Sequence, residues 1–344
     1  MKKSLLTAYG KSKFLHKPFY AHFYVTRRCN LQCPMCAVPA HGNRENELTI
    51  EEIRVLAENM QEIGLGTVVL TGGEPFMRPE LNEIISAFSS RGMFVRLQTN
   101  GLLADEKNLR ECFANGLDFL TVSLDSVQER KFDDFCGHAG LWKAAVAAIR
   151  TAVSIKPRGL HVVNTVVTRQ NIDELADIAT FVDSLGAYAS LVPVHTAEHN
   201  PIRGDAAYLS LTAADKPRIE KSYRELIRLK KKGLRIGSSL AYLEDARAYL
   251  LNRNFRWKCD AGKDYFVIFD DGSISPCDEF PGIPTERGRN AAAVFHSQPF
   301  QNHCAEVRRE CSGCIWGCWR ETSLLLHDHR VTLERIKTYV RNLR

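Results

Sequence analysis

Cysteine is the residue type here whose number and spacing most clearly suggest chemistry. The chain holds 11 cysteines, nine of them in two clusters, at 29–36 and 259–318. The first cluster reads Cys29-Asn-Leu-Gln-Cys33-Pro-Met-Cys36. Three thiolates this close can hold three corners of one polynuclear metal centre. Iron–sulfur clusters take thiolate ligands, usually four. No local fourth ligand stands beside these three, since the nearby His41 belongs to no ligand pattern. A metal short of one protein ligand has an open coordination position, as in a catalytic rather than a structural centre. Zinc is the competing reading, but it prefers closed sets of four built from paired Cys-x2-Cys knuckles.

A second motif, Thr71-Gly72-Gly73-Glu74-Pro75, follows about 40 residues on. Paired glycines let backbone approach a ligand closely, and Glu74 adds an acceptor for a cationic amino group. In the second cysteine cluster, Cys259 and Cys277 bracket a hairpin pattern. Cys304, Cys311-Ser-Gly-Cys314 and Cys318 follow. Two paired segments of this kind could close a four-thiolate site for zinc or for iron–sulfur. Cys112 and Cys136 stand alone and are expected to be small buried hydrophobes.

The elements that must position these residues show in the periodicity. Strand-like stretches rich in Val, Leu, Ile, Phe, Tyr and Thr occur at 22–26, 67–71, 95–99, 119–124, 161–167 and 190–194. Helical patterns fall between them at 49–63, 79–90, 106–115, 141–154 and 171–185. Thr49 caps the first, and Gly64, Gly116 and Gly186 follow helix ends, as left-handed terminators do. Alternation at this spacing predicts a parallel sheet with crossover helices. Six units are too few for a closed eight-fold barrel. The fold class expected is α/β, an open partial (β/α)6 barrel with a parallel sheet, followed by a small Cys-rich α+β C-terminal domain. Ligands in such folds bind at the carboxyl ends of the strands. That is where the Cys29 loop and the Gly72 turn fall. Beyond position 235 the pattern changes to a hairpin around Asp271-Gly272, a Cys-rich stretch, and a final amphipathic helix. The expected divisions are an extension at 1–20, a core at 21–235, an auxiliary domain at 236–320 and a terminal helix at 321–344.

With the triple-cysteine loop on strand one and Gly-Gly-Glu-Pro on strand two, residues 21–194 resemble the radical S-adenosylmethionine (SAM) superfamily. The resemblance implies a [4Fe–4S] cluster on Cys29, Cys33 and Cys36, with SAM chelated to the fourth iron. It implies that Gly72, Gly73 and Glu74, followed by Pro75, face the SAM amino group, and that Met35, where many members carry an aromatic residue, packs against adenine. Ser123 on strand four, and Asn164 and Thr168 on or just after strand five, become further SAM contacts. The second cysteine cluster resembles the SPASM and twitch extensions. Its Cys-x2-Cys-x3-Cys run is shorter than the full two-cluster pattern, which implies one auxiliary [4Fe–4S] cluster. Cys259, Cys277, Cys311 and Cys314 are the implied ligands, Cys318 is a rival for the last place, and Cys304 lies off the pattern.

The implied activity is reductive cleavage of SAM to a 5′-deoxyadenosyl radical, hydrogen abstraction, and oxidation or coupling of a small metabolite or natural-product intermediate. The auxiliary cluster would carry the electron, and a flavodoxin or ferredoxin would act as reductant. Modification of a ribosomal peptide is the alternative. Many such maturases carry a leader-binding domain ahead of the barrel, and about 20 residues precede the first strand here. A non-enzymatic iron–sulfur or zinc binding protein is the third reading. Candidates for a base are His195 and Glu198, with His199 and Arg203 close by, and Asp278 and Glu279 beside Cys277.

Composition bounds the rest. The 344 residues are 44% hydrophobic and 25% charged, which excludes a disordered chain. No apolar run reaches the ~18 to 20 residues of a membrane span, and the basic start lacks a signal-peptide core. A cytoplasmic location is therefore expected. The net charge of +6 permits an anionic partner without requiring one. Much of it lies at 216–235, read as a solvated helix rather than a nucleic-acid surface.

Overall fold

The computed structural model describes residues 5–36, 38–195, 207–252, 255–311 and 313–343. Its strands are β1 (Tyr20–Thr26), β2 (Thr67–Gly72), β3 (Phe94–Thr99), β4 (Phe119–Ser123), β5 (Val162–Val167), β6 (Tyr188–Pro193), β7 (Tyr265–Ile268) and β8 (Ile274–Ser275). The helices are α1 (Leu5–Leu15), α2 (Ile50–Ile63), α3 (Leu81–Ser89), α4 (Glu106–Ala114), α5 (Glu129–Cys136), α6 (Leu141–Ile155) and α7 (Leu175–Ser184). They continue with α8 (Lys216–Lys231), α9 (Leu240–Leu251), α10 (Ala291–His296), α11 (Gln298–Glu310), α12 (Gly317–His327) and α13 (His329–Leu343). The sheet order is β6-β5-β4-β3-β2-β1-β7-β8. Every pairing is parallel except the β7–β8 hairpin. This is the expected partial barrel, with all six strands where the periodicity puts them.

Strand alternation divides the side chains cleanly. On β1, Ala21, Phe23 and Val25 join the core beneath the helices, while Tyr20, His22 and Tyr24 face the lumen. On β3 the same split sets Val95 and Leu97 against Arg96 and Gln98. Helix α2 starts on a capping box, with Thr49 and Glu52 each accepting from the other's backbone N–H. It ends at Gly64 in the left-handed region.

The hairpin expected in a separate C-terminal domain does form, but β7 pairs along β1 from Tyr20↔Tyr265 to Phe23↔Ile268. The C-terminal segment thus extends the barrel sheet itself. Helix α12 then spans the barrel's open side. Trp319 lies against Tyr20 and His22 of β1, and Gly317 lies so close to Val192 of β6 that a Cβ would come within 2.6 Å. Helix α8 buries Ile219, Tyr223, Leu226 and Ile227, the face expected of it. Several of its basic residues pair with Glu or Asp, as Arg218 does with Asp173. Among the described residues no helix is long and apolar enough to cross a membrane.

A buried polar clamp secures the end of β1. Glu47 accepts from Thr26 Oγ1 and, through both oxygens, from Arg28 at 2.8 and 3.1 Å. Arg78 donates to Val25 O at 2.9 Å and Leu48 O at 3.0 Å. Arg27 reaches Asp270 at 2.6 Å, tying the same loop to the β7–β8 turn. Arg78→Met should leave the two buried carbonyls unpaired and cost about 3 kcal/mol, read as a lower thermal denaturation midpoint. An unchanged midpoint would show the clamp to be ornamental.

Candidate active site

The parallel pairing of β1 with β2 sets the Cys29 loop beside the Gly72 turn at the carboxyl edge of the sheet. The contact is backbone to backbone. Gly73 N donates to Thr26 O and Glu74 N to Arg28 O, both at 2.8 Å. A Cβ at Gly72, where φ is 127°, would lie 2.0 Å from Thr26 O, and one at Gly73 would lie 2.1 Å from Arg28 O. The sequence reading gave these glycines to a ligand's approach. The structure shows that the cysteine loop itself needs them, although both also line the cavity.

Glu74 differs from its expected role. It is fully buried, and its carboxylate accepts from Thr99 Oγ1, Asn100 N and Phe76 N at 2.8, 2.8 and 3.1 Å. Burial raises its pKa to about 7 against those hydrogen bonds. It is absent from the cavity wall, as is the buried Pro75. Glu74 fastens the turn to the end of β3.

A cavity of about 540 Å³ runs through the lumen. Cys29, Cys33, Cys36, Met35, Gly72 and Gly73 form its upper wall, with Ser123 and Asn164, which are paired neighbours on β4 and β5. Thr168 is not part of it. Its backbone N–H and hydroxyl bond to Asn171 instead, closing the turn before α7. The upper thiols act on one another: burial, then the charges of Glu74, Cys33 and Cys36, raise the Cys29 pKa to about 11. Three thiols on one loop, all facing the same cavity, are the donor set an iron–sulfur cluster takes, so the residues present fit the implied cluster. Cys136 is more than a buried hydrophobe. It lies near Cys33 and is the largest cause of that thiol's lowered pKa. Asn100 Nδ2 reaches Cys29 Sγ at 3.9 Å.

The second cluster divides. Burial raises the thiol pKa of Cys259, Cys277 and Cys314. Cys311 adds to the effect on Cys259, Cys259 and Cys311 to that on Cys314, and Cys314 to that on Cys277. Each of these four thus lies near enough to at least one of the others to act on its charge. Cys304 packs against Gly262, where a Cβ would come within 2.2 Å of its sulfur. Cys318 turns into the cavity instead. Burial would raise its pKa, but hydrogen bonds from His22 and Tyr20 and the charges of His22 and Arg96 bring it below the ordinary thiol value. A third group, Asp260, Asp264 and His327, lies apart from the cavity, with His327 Nε2 at 3.4 and 2.7 Å from the two carboxylates.

Of the base candidates, Asp278 lines the cavity and accepts from Tyr24 OH at 2.8 Å. His22 Nδ1 lies 3.5 Å from the same carboxylate. Burial alone would lower the His22 pKa, yet Asp278 and then Cys318 raise it to about 10. His195 also faces the cavity and pairs with Glu279 at 3.1 Å, which places Glu279 behind it. Glu198, His199 and Arg203 lie outside the described residues. Sequence reasoning missed His22, Tyr24 and Arg96. Their signal is polar or aromatic residues at alternate positions of strands that are otherwise apolar.

The family model of the radical SAM superfamily matches residues 23–182. Residues 23–182 form a radical SAM domain. The chain is 32% identical over 167 residues to an AdoMet-dependent heme synthase of Oleidesulfovibrio alaskensis, covering 48% of this chain and 42% of that protein. It therefore spans less than half the length of this curated relative. A heme synthase of Methanosarcina barkeri is 26% identical over 346 residues, covering 90% of this chain and 95% of that one. In fold, the chain resembles native anSMEcpe with bound AdoMet and Cp18Cys peptide, at TM-score 0.64 and 15% identity, over 94% of this chain and 96% of that one. The radical SAM family binds a [4Fe–4S] cluster and SAM, and its SPASM-type members carry auxiliary clusters.

Because Glu74 closes three hydrogen bonds, Glu74→Gln should turn one amide N–H toward a donor and cost about 1 to 3 kcal/mol. The expected readout is a lower denaturation midpoint together with poorer retention of iron. Normal stability with loss of SAM binding alone would restore the direct ligand role.

Proposed function

We propose that the chain is a radical SAM enzyme that oxidises or couples a small substrate held in the barrel lumen. One observation carries this. The same cavity is lined by the three upper thiols, by Gly72, Gly73, Ser123 and Asn164, and by Asp278. When bound, a [4Fe–4S] cluster with SAM at Cys29, Cys33 and Cys36 would supply hydrogen-atom abstraction, and a cluster on the lower four thiols an electron acceptor. Gly72, Gly73, Ser123 and Asn164 would hold SAM, with Met35 beside it.

The chain's own part is orientation and proton handling. Asp278 is the base that takes a proton from a group next to the carbon that has lost its hydrogen atom and electron. The Tyr24 hydroxyl orients it from one side and His22 stands on the other. It is adjacent in sequence to Cys277, so proton and electron leave by neighbouring residues. The lumen walls keep bulk water from the reacting carbon.

A second reading, modification of a peptide, has support from the anSMEcpe likeness, since that structure holds a bound peptide. The two readings separate when reduced protein and SAM are mixed with cell extract split by molecular mass. Stimulation of turnover by the metabolite fraction supports the first, and by the peptide fraction the second. A flavodoxin or ferredoxin would be the reductant in either case. Asp278→Asn should go on cleaving SAM while product formation falls about 100-fold or more, the usual contribution of a general base. Undiminished product formation would remove Asp278 from the mechanism.

A further inference from the structure

Most charges of the lumen are paired; among the described residues Arg96 and Asp125 are not in an ion pair, and Asp125, at the cysteine-loop end near Cys33, accepts a hydrogen bond from Val166 N–H. His22 faces Asp278 at 3.5 Å, His195 faces Glu279 at 3.1 Å, and Arg335 faces Glu321 at 2.6 Å. Arg96 also lines the cavity, but its Nε donates to a neutral hydroxyl, Thr121 Oγ1 at 2.5 Å. Among the described residues no carboxylate ion-pairs with it. The register places Arg96 level with Val69 of β2, hence with His22 of β1, and with Phe119 of β4. It stands three residues before Thr99, the residue that bonds Glu74 at the rim. At 3.3 Å per residue that is about 10 Å below the cysteine loop, deeper than the proposed SAM site.

A guanidinium inside a protein cavity is costly unless an anion meets it, and its two outer nitrogens match the geometry of a carboxylate. One positive charge fits one carboxylate monoanion, whereas a phosphate dianion would leave charge unmatched. We propose that Arg96 is the floor of a substrate subsite that takes a carboxylate group, holding the reacting carbon above it toward the cysteine loop. This rests on the lumen being the substrate chamber, and it narrows the substrate class to carboxylate-bearing molecules. Gln98, one step up the same face of β3, is placed to donate to the same group.

Cys318 offers a direct probe, because its thiol opens into the same cavity and lies near enough to feel the Arg96 charge. The anaerobic holoenzyme is treated with iodoacetate or with iodoacetamide, and alkylation of the Cys318 peptide is timed by mass spectrometry. Glutathione under the same conditions gives the intrinsic ratio of the two rates. Arg96 should favour the carboxylate reagent, raising the iodoacetate-to-iodoacetamide ratio at Cys318 about tenfold over glutathione, a modest return for one buried charge pair. The preference should fall in Arg96→Gln to the residual pull of His22 and survive more fully in Arg96→Lys, with iron content showing that both variants are folded. An equal ratio in wild type and Arg96→Gln would overturn the subsite. So would a Cys318 that neither reagent reaches, since a substrate carboxylate could not reach Arg96 either. The readout involves no SAM cleavage, so loss of the radical reading would leave this result standing, and the reverse.

Discussion

The site depends on one close backbone approach. The peptide units of Gly72 and Gly73 lie against those of Thr26 to Arg28, and no side chain larger than hydrogen fits between them. Two backbone hydrogen bonds fasten the approach, and the fully buried Glu74 then carries it across to Thr99, the last residue of β3, and to Asn100 just beyond it. Three successive strand ends are thereby joined at the rim, and the cysteine loop leaves from the first of them. The Glu47, Arg28 and Arg78 clamp beneath adds charge-assisted hydrogen bonds, which exceed neutral ones in strength. A loop holding three thiols must be rigid before it meets iron, and these contacts make it so without using the thiols.

The lumen is open because the partial barrel does not fill itself, and a few polar side chains stand in its largely apolar wall. Helix α12 covers the open side, and it brings Cys318 and Trp319 against β1. The C-terminal segment thus contributes β7 to the sheet and Asp278 to the cavity, while its other thiols, Cys259, Cys277, Cys304, Cys311 and Cys314, do not line it. In the proposed reaction, hydrogen abstraction at the rim and proton removal at Asp278 would share one chamber, with Tyr24 and His22 of β1 both set against Asp278.

Much of this was legible in the sequence. The six parallel strands stand out because buried strands and amphipathic helices have different periods. Thr49 and Gly64 mark the ends of α2 by caps that act locally. The pairing of β7 with β1 was not legible, because it joins positions some 245 apart and its hairpin reads the same in any sheet. Glu74 and Thr168 illustrate a second limit. A polar residue at a strand end serves equally well as a ligand contact or as a fastener for the turn, and only the hydrogen-bond partners decide. For both residues the turn takes the side chain. Cys136 is a third case, since nothing in its surroundings along the chain shows that it meets Cys33.

The central claim is that the upper three thiols carry a cluster with an open iron while the lower four close a separate one. Iron and 5′-deoxyadenosine measured together on anaerobically reconstituted, dithionite-reduced protein with SAM test it most directly. The account predicts about eight irons per chain, four per cubane, with 5′-deoxyadenosine formed. Replacement of Cys29, Cys33 and Cys36 by Ala should leave about four irons and no 5′-deoxyadenosine. A wild-type protein that binds zinc in place of iron, or a triple variant that still cleaves SAM, would contradict it.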